Sequence, residues 1–157
     1  MVLRSRSQRR GQTAVELLFI TAIILTGIVY IIPSVVHTNK TVSTTDAFRT
    51  VGSDVCTYLN TGVIVNDSTH APLNNIVELW NYTPVGCRLV GLSVVPVNGT
   101  LNVSIVYSYP DPVTKSAFVG NVTDFLKLRL SSIQGFRLVG DNLYYGGMKV
   151  NLTVVVR

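Results

Sequence analysis

With 157 residues, 47% of them hydrophobic and 13% charged, the chain has room for one long helix and one further domain of roughly a hundred residues. Its formal charge of +5 is concentrated at one end: Arg4, Arg6, Arg9 and Arg10 come first, and the remainder carries nine Lys+Arg against eight Asp+Glu. That remainder has no basic stripe to hold a phosphate backbone, which excludes a nucleic-acid partner.

The first element is the apolar run Leu17 to Val36, twenty residues without a charge. At about 1.5 Å per residue it makes roughly 30 Å of helix, the thickness of a bilayer's hydrocarbon core. The arginines ahead of it, with no acid among them, hold that end on the cytoplasmic side and leave the rest of the chain outside. An ordinary secretory signal describes the run less well. It needs an apolar core of about 7 to 15 residues and a small-residue cleavage site, whereas Ser34-Val35-Val36-His37-Thr38 follows here. A permanent single-pass anchor is the plainer alternative.

The junction ahead of the run, Arg9-Arg10-Gly11-Gln12-Thr13-Ala14-Val15-Glu16, resembles the leader of type IV pilin-like precursors, in particular the archaeal form called a class III signal peptide. The resemblance implies that a prepilin peptidase removes residues 1–11 on the cytoplasmic side, cutting between Gly11 and Gln12, and that the apolar segment stays on the mature chain. Gln12, Ala14 and Glu16 then stand at the first, third and fifth mature positions, with Ala14 a mild departure from the Ser often found there. Pro33 becomes the 22nd mature residue, where many pilins carry a helix-bending proline. The likeness covers only about 25 residues. It implies a structural subunit of a helical homo-oligomeric surface filament, held in the membrane before assembly and extracellular afterwards. A pilus assembly ATPase and a membrane platform would be its other partners.

Glu16 carries a physical argument of its own. A charged side chain at the centre of a bilayer costs on the order of 2.5 to 3.5 kcal/mol, less near the interface. Cleavage before Gln12 would create a cationic amine, and Glu16 of one subunit could pair with the amine of a neighbour, setting the axial register of a filament. The alternative is that Glu16 reaches the headgroups by snorkelling.

Beyond the run, Pro33 should bend the helix without necessarily ending it. The polar stretch Thr38 to Thr45 is poor in helix formers, so continuation depends on packing. Phe48, Val51, Val55 and Leu59 recur at spacings of three and four, an apolar stripe on one helix face, and Gly62 is a plausible stop. One helix over 12–60 is therefore expected, followed by an outer domain over 61–157. Cys56 and Cys87 lie on the exported side, where disulfides persist, and are expected to pair. His37 and His70 are not at metal-ligand spacing with them.

Asn60 to Asn81 reads mostly as loop with a short element near Ile76 to Trp80. From Arg88 the chain alternates and turns: Arg88 to Val97, Asn98-Gly99, Leu101 to Tyr109, the break Pro110-Asp111-Pro112, then Val113 to Val119. Phe136 to Val139, Leu143 to Tyr145 and Lys149 to Val156 follow, separated by glycine turns. Asn-Gly between β-rich runs is a strong hairpin signal. The fold class expected is α+β, a long hydrophobic helix followed by an antiparallel sheet or small sandwich. Val122 to Ile133 is ambiguous: Leu126, Leu128 and Leu130 alternate as in a strand, whereas Val122, Leu126, Leu130 and Ile133 fit a helix face. The expectation taken is strand.

Seven N-x-Ser/Thr sequons stand at Asn39, Asn66, Asn81, Asn98, Asn102, Asn121 and Asn151, out of eleven asparagines. With Ser and Thr at roughly 18% of residues, about two would arise by chance, so a surface built for N-glycosylation is expected. In Leu101-Asn102-Val103-Ser104-Ile105 and in Lys149 to Val156, alternation puts the sequon residues on the face opposite the apolar ones. The plainer account is an uncharged β surface of Asn and Thr, and the sequon at Asn81 is followed by Pro84.

No nucleophile-and-base arrangement surrounds His37 or His70, and Gly146-Gly147 leads into no phosphate-binding helix. Asp67, Asp111, Asp124 and Asp141 fall at expected turns or caps, where Asp is ordinarily structural. No catalytic residue, metal or cofactor is expected. The function expected is that of an archaeal type IV pilus-like subunit, more for adhesion than motility. The alternatives are a monomeric membrane-anchored module whose outer domain binds a sugar or surface partner, and a minor pilin that primes or tips a filament.

Overall fold

In a computed structural model of the chain, the backbone is described for residues 6–108 and 114–157, and side chains for 14–32, 42–108 and 114–157. The Pro110-Asp111-Pro112 break lies outside the described residues. The chain divides into two compact units, Met1–Val42 and Ser43–Arg157.

One helix, α1 (Arg6–Thr61), contributes to both. Its helical assignment continues through Pro33; the side chain of Pro33, and with it the expected bend, is outside the described ones. The second unit contains α2 (Ala71–Leu79), β1 (Arg88–Val97), β2 (Thr100–Ser108), α3 (Lys115–Ser131), β3 (Phe136–Val139), β4 (Asn142–Tyr145) and β5 (Met148–Val156). The five strands form one sheet in the order β1-β2-β5-β4-β3. Three neighbouring pairs are antiparallel, and β2 and β5 run parallel, Asn102 opposite Asn151 and Ser104 opposite Thr153. The class is α+β with a mostly antiparallel sheet, as the sequence suggests. No second sheet is stacked on it to make a sandwich among the described residues.

Helices cover one face. Phe48, Val51, Val55 and Leu59 are all at most 1% exposed, so the stripe read from their spacing is the buried face of α1. They join Leu101, Val103, Ile105 and Tyr107 of β2 in the core. Alternation then leaves Asn102 of β2, and Asn151 and Thr153 of β5, on the open face. At Gly52 the helix comes close to the sheet: a Cβ there would meet the Tyr107 hydroxyl at 3.3 Å, and that hydroxyl donates to the Gly52 carbonyl at 3.1 Å. Burial pushes the ionisation of Tyr107 above its ordinary range.

Two sequence expectations are corrected here. Val122 to Ile133 is not a strand, and neither is the described part of Val113 to Val119: Lys115–Ser131 is helical. Phe118, Val122, Phe125, Leu126 and Leu130 are its buried residues, spaced by four, three, one and four, whereas Leu128, which a strand would put beside Leu126 and Leu130, is 38% exposed. The topology explains the choice. A chain leaving β2 must cross over before any later strand can lie parallel to it, and α3 makes that crossing before β3, β4 and β5 return. Between Asn60 and Asn81, the short element is α2, begun by Pro72 in its first turn.

The end of α1 is fixed by Gly62, at φ +63°. A Cβ at this position would lie 2.7 Å from the Tyr82 carbonyl oxygen, so substitution is both strained and blocked. Gly62→Ala is expected to destabilise the second unit by about 2 kcal/mol or more, read from thermal or denaturant unfolding. Gly99→Ala, also at positive φ but with no atom within 4 Å of its added Cβ, should show the strain alone and lose less.

Candidate functional site

The apolar half of α1 is the first candidate. Ala14–Ile32 is 19 residues, long and apolar enough to cross a membrane, and none of it is buried within the chain. Its large apolar side chains from Val15 to Ile32 range from 45% exposed at Ile28 to 86% at Tyr30. A helix that is apolar all round needs an apolar surrounding on every side, lipid or other helices. Its two threonine hydroxyls are satisfied within the helix: Thr21 donates to the Leu17 carbonyl, and Thr26 donates to the Ala22 carbonyl at 2.8 Å. Glu16, exposed near one end, is the single ionisable group of this segment apart from the phenol of Tyr30. Gly11, Gln12 and Asn39 lie within the helix, but their side chains are outside the described ones.

The end of α1 is clasped to the start of the sheet. Cys56 and Cys87 form a disulfide with Cα atoms 4.9 Å apart. One helical turn on, Asn60 grips the same residue twice. Its Nδ2 donates to the Cys87 carbonyl at 3.0 Å, and its Oδ1 accepts from the Cys87 N–H at 2.9 Å. An amide side chain thus imitates a strand neighbour at the point where β1 begins. The cysteine pairing was readable from the sequence; the role of Asn60 was not, because the chain brings it to a residue 27 positions away.

Five sequon asparagines are exposed: Asn66 after α1, Asn81 at φ +53° after α2, Asn98 at φ +47° in the β1–β2 hairpin, and Asn102 and Asn151 on the open sheet face. The last two sit side by side, with Asn151 Nδ2 3.3 Å from Asn102 Oδ1. Asn121 differs. It is half-buried on α3, donates to the Ala117 carbonyl at 2.9 Å and accepts from Asn75 at 3.2 Å, so both ends of its amide are engaged. Glycopeptide mass spectrometry of protein from its native cells is expected to find Asn98 occupied and Asn121 bare; a fully occupied Asn121 would contradict this account.

A groove of about 640 Å³ opens beside the α1 terminus, lined by α1, the 62–70 loop and α3. Asp54, Thr57, Tyr58 and Thr61 lie along one α1 face at helical spacing, next to the face that enters the core. Tyr58 stacks on His70 with ring centroids 4.8 Å apart, and His70 lies 5.5 Å from Phe125. The Tyr58 hydroxyl donates to Asn74 Oδ1 and accepts from the Val65 N–H at 2.8 Å, while Asn74 Nδ2 donates to the Val65 carbonyl at 2.9 Å. His70 is held by Asp67 through its backbone N–H and ring Nδ1, both at 2.7 Å. Those two hydrogen bonds, the backbone one foremost, keep the Asp67 carboxyl below its usual range. His70 is therefore locked into a wall of the groove. Sequence spacing did not point to this site, which depends on residues from three separate segments. Among the described residues no three metal-ligating side chains come together.

Comparison of the chain with family models, with characterised proteins and with solved structures gives no match. What stands is a class defined by the chain alone: a long apolar N-terminal helix leading into a disulfide-linked α+β domain with a five-stranded sheet. The apolar helix and the disulfide point to secretion or membrane anchoring.

Proposed function

We propose that the chain is a type IV pilin-like structural subunit of an archaeal surface filament, not an enzyme. A prepilin peptidase removes residues 1–11, and the assembly ATPase and its membrane platform transfer the mature chain from bilayer to filament. The observation that carries this reading is a 19-residue helical segment, Ala14–Ile32, with no part buried in its own chain and with Glu16 as its one carboxylate. Such a segment exchanges lipid contacts for helix-to-helix contacts at little loss, since both surroundings are apolar. The small or hydroxyl positions Ala22 and Thr26 allow close approach, with the Thr26 hydroxyl already satisfied.

The direct test is mass spectrometry of the N-terminal residue in membranes and in material sheared from the cell surface. A start at Gln12, enriched in the sheared fraction, is the expected result. An intact Met1 confined to membranes would sink the proposal and favour the single-pass anchor.

A further inference from the structure

We propose that the groove between α1 and α3 is the seat of the chain's own glycan: the first sugar rings attached at Asn66 fold back over Tyr58 and His70 and are held there. This rests on glycosylation of Asn66, not on the filament reading, and either can fail without the other.

The attachment point is built into the rim. Val65 and Asp67, the neighbours of Asn66 on either side, both line the groove. Both are also anchored, Val65 by Tyr58 and Asn74 and Asp67 by His70. Asn66 is exposed between two fixed residues. A sugar joined there starts at the edge of the groove at high effective concentration, so a weak site suffices to hold it.

The lining suits a neutral sugar ring, which has apolar C–H faces and a periphery of hydroxyls. The stacked Tyr58 and His70 rings supply an aromatic wall, and both are fixed by hydrogen bonds before any ligand arrives. Around them stand carboxylate acceptors at Asp54 and Asp67, donors at Arg129, and hydroxyls at Thr57, Thr61 and Thr69. Acceptors, donors and groups that do both are thus present without a strong charge of either sign. The volume of about 640 Å³ falls within the range of small-molecule sites, roughly 300–1,000 Å³. A strongly charged ligand would meet opposing charges, Asp54 on one side and Arg129 on the other.

The test uses the full chain purified in detergent from its native membranes, beside Asn66→Gln, Asn98→Gln, the double variant Asp54→Ala/Arg129→Ala and its combination with Asn66→Gln, with binding of free oligosaccharide measured on the chain with and without the Asn66 glycan. Peptide mapping first locates the glycans, and hydrogen exchange of residues 62–70 together with the melting temperature follows. Loss of the glycan in Asn66→Gln is expected to speed exchange of that loop about three- to tenfold and to lower the melting temperature by about 3–8 °C. Asn98→Gln should do neither. Asp54→Ala/Arg129→Ala should reproduce the loss in the glycosylated chain and be nearly silent in the Asn66→Gln background, because contacts made by one sugar are coupled. Four results would overturn the proposal: an unmodified Asn66, a glycan there with no effect on exchange, additive effects in the combined variant, or a groove that binds free oligosaccharide equally with and without the Asn66 glycan. The last would show that the groove takes sugars from elsewhere.

Discussion

If the chain is a filament subunit as proposed, Glu16→Leu is expected to reduce surface filaments at least tenfold, a change equivalent to about 1.4 kcal/mol or more per subunit contact, without impairing membrane insertion or export. Removing the carboxylate makes the segment more apolar, so membrane insertion should be unimpaired or improved. In a filament the same change would leave the cationic amine of Gln12 in a neighbouring subunit without a counter-charge inside an apolar bundle. An uncompensated buried charge is strongly destabilising, and the loss should appear as failed assembly instead of failed folding. The two readings of the chain diverge here, because a single-pass anchor has no use for the carboxylate. Immunoblotting sheared surface material against membranes provides the measurement. Normal sheared yield for Glu16→Leu would remove the register role assigned to Glu16 and favour the anchor.

The second large effect belongs to the disulfide. Replacing Cys56 and Cys87 together by Ala is expected to lower the unfolding free energy of the second unit by about 3 to 4 kcal/mol, and its melting temperature by roughly 10 to 20 °C. The bond joins residues 31 apart in sequence, and in the chain-entropy model a loop of that length accounts for the figure. Alanine is the better replacement: both sulfurs are in the core, with Cys56 7% and Cys87 1% exposed, where serine would add hydroxyls to an apolar site. The Asn60 clasp should keep β1 in place on α1, so the variant should fold and melt cooperatively at the lower temperature. Reduction of the wild-type chain should give the same shift. A loss under about 1 kcal/mol would mean that the crosslink hardly constrains the unfolded chain.

Local pattern made some elements readable and left others hidden. Phe48, Val51, Val55 and Leu59 were legible as a buried stripe because a surface helix needs one apolar face, and the spacing of three and four states which. β1 runs from Arg88 to Val97 as its alternation suggested, and Asn98-Gly99 turns because Asn and Gly tolerate the positive φ values of 47° and 75° found there. α3 is hidden in the sequence because a leucine at every second position satisfies a strand pattern as readily as part of a helical one. The tie was broken by Phe118 and Phe125, which a helix brings to the same buried face as Val122, Leu126 and Leu130.

Composition and short-range period are enough for an apolar segment able to span a membrane, the α+β class, the five strands that form the sheet with the Asn98-Gly99 hairpin, and the cysteine pair, but not for telling α3 from a strand. These are legible because each follows from residues within a few positions of one another, or from there being only two cysteines to pair. Packing across the whole domain set the parallel placement of β5 beside β2, the helical crossing by α3, the grip of Asn60 on Cys87, and the groove that gathers Tyr58, Asp67, His70, Phe125 and Arg129. Each of these joins residues distant in the chain. Such contacts are selected by how the apolar faces of separate elements can all be covered at once, a condition that no single stretch of sequence expresses.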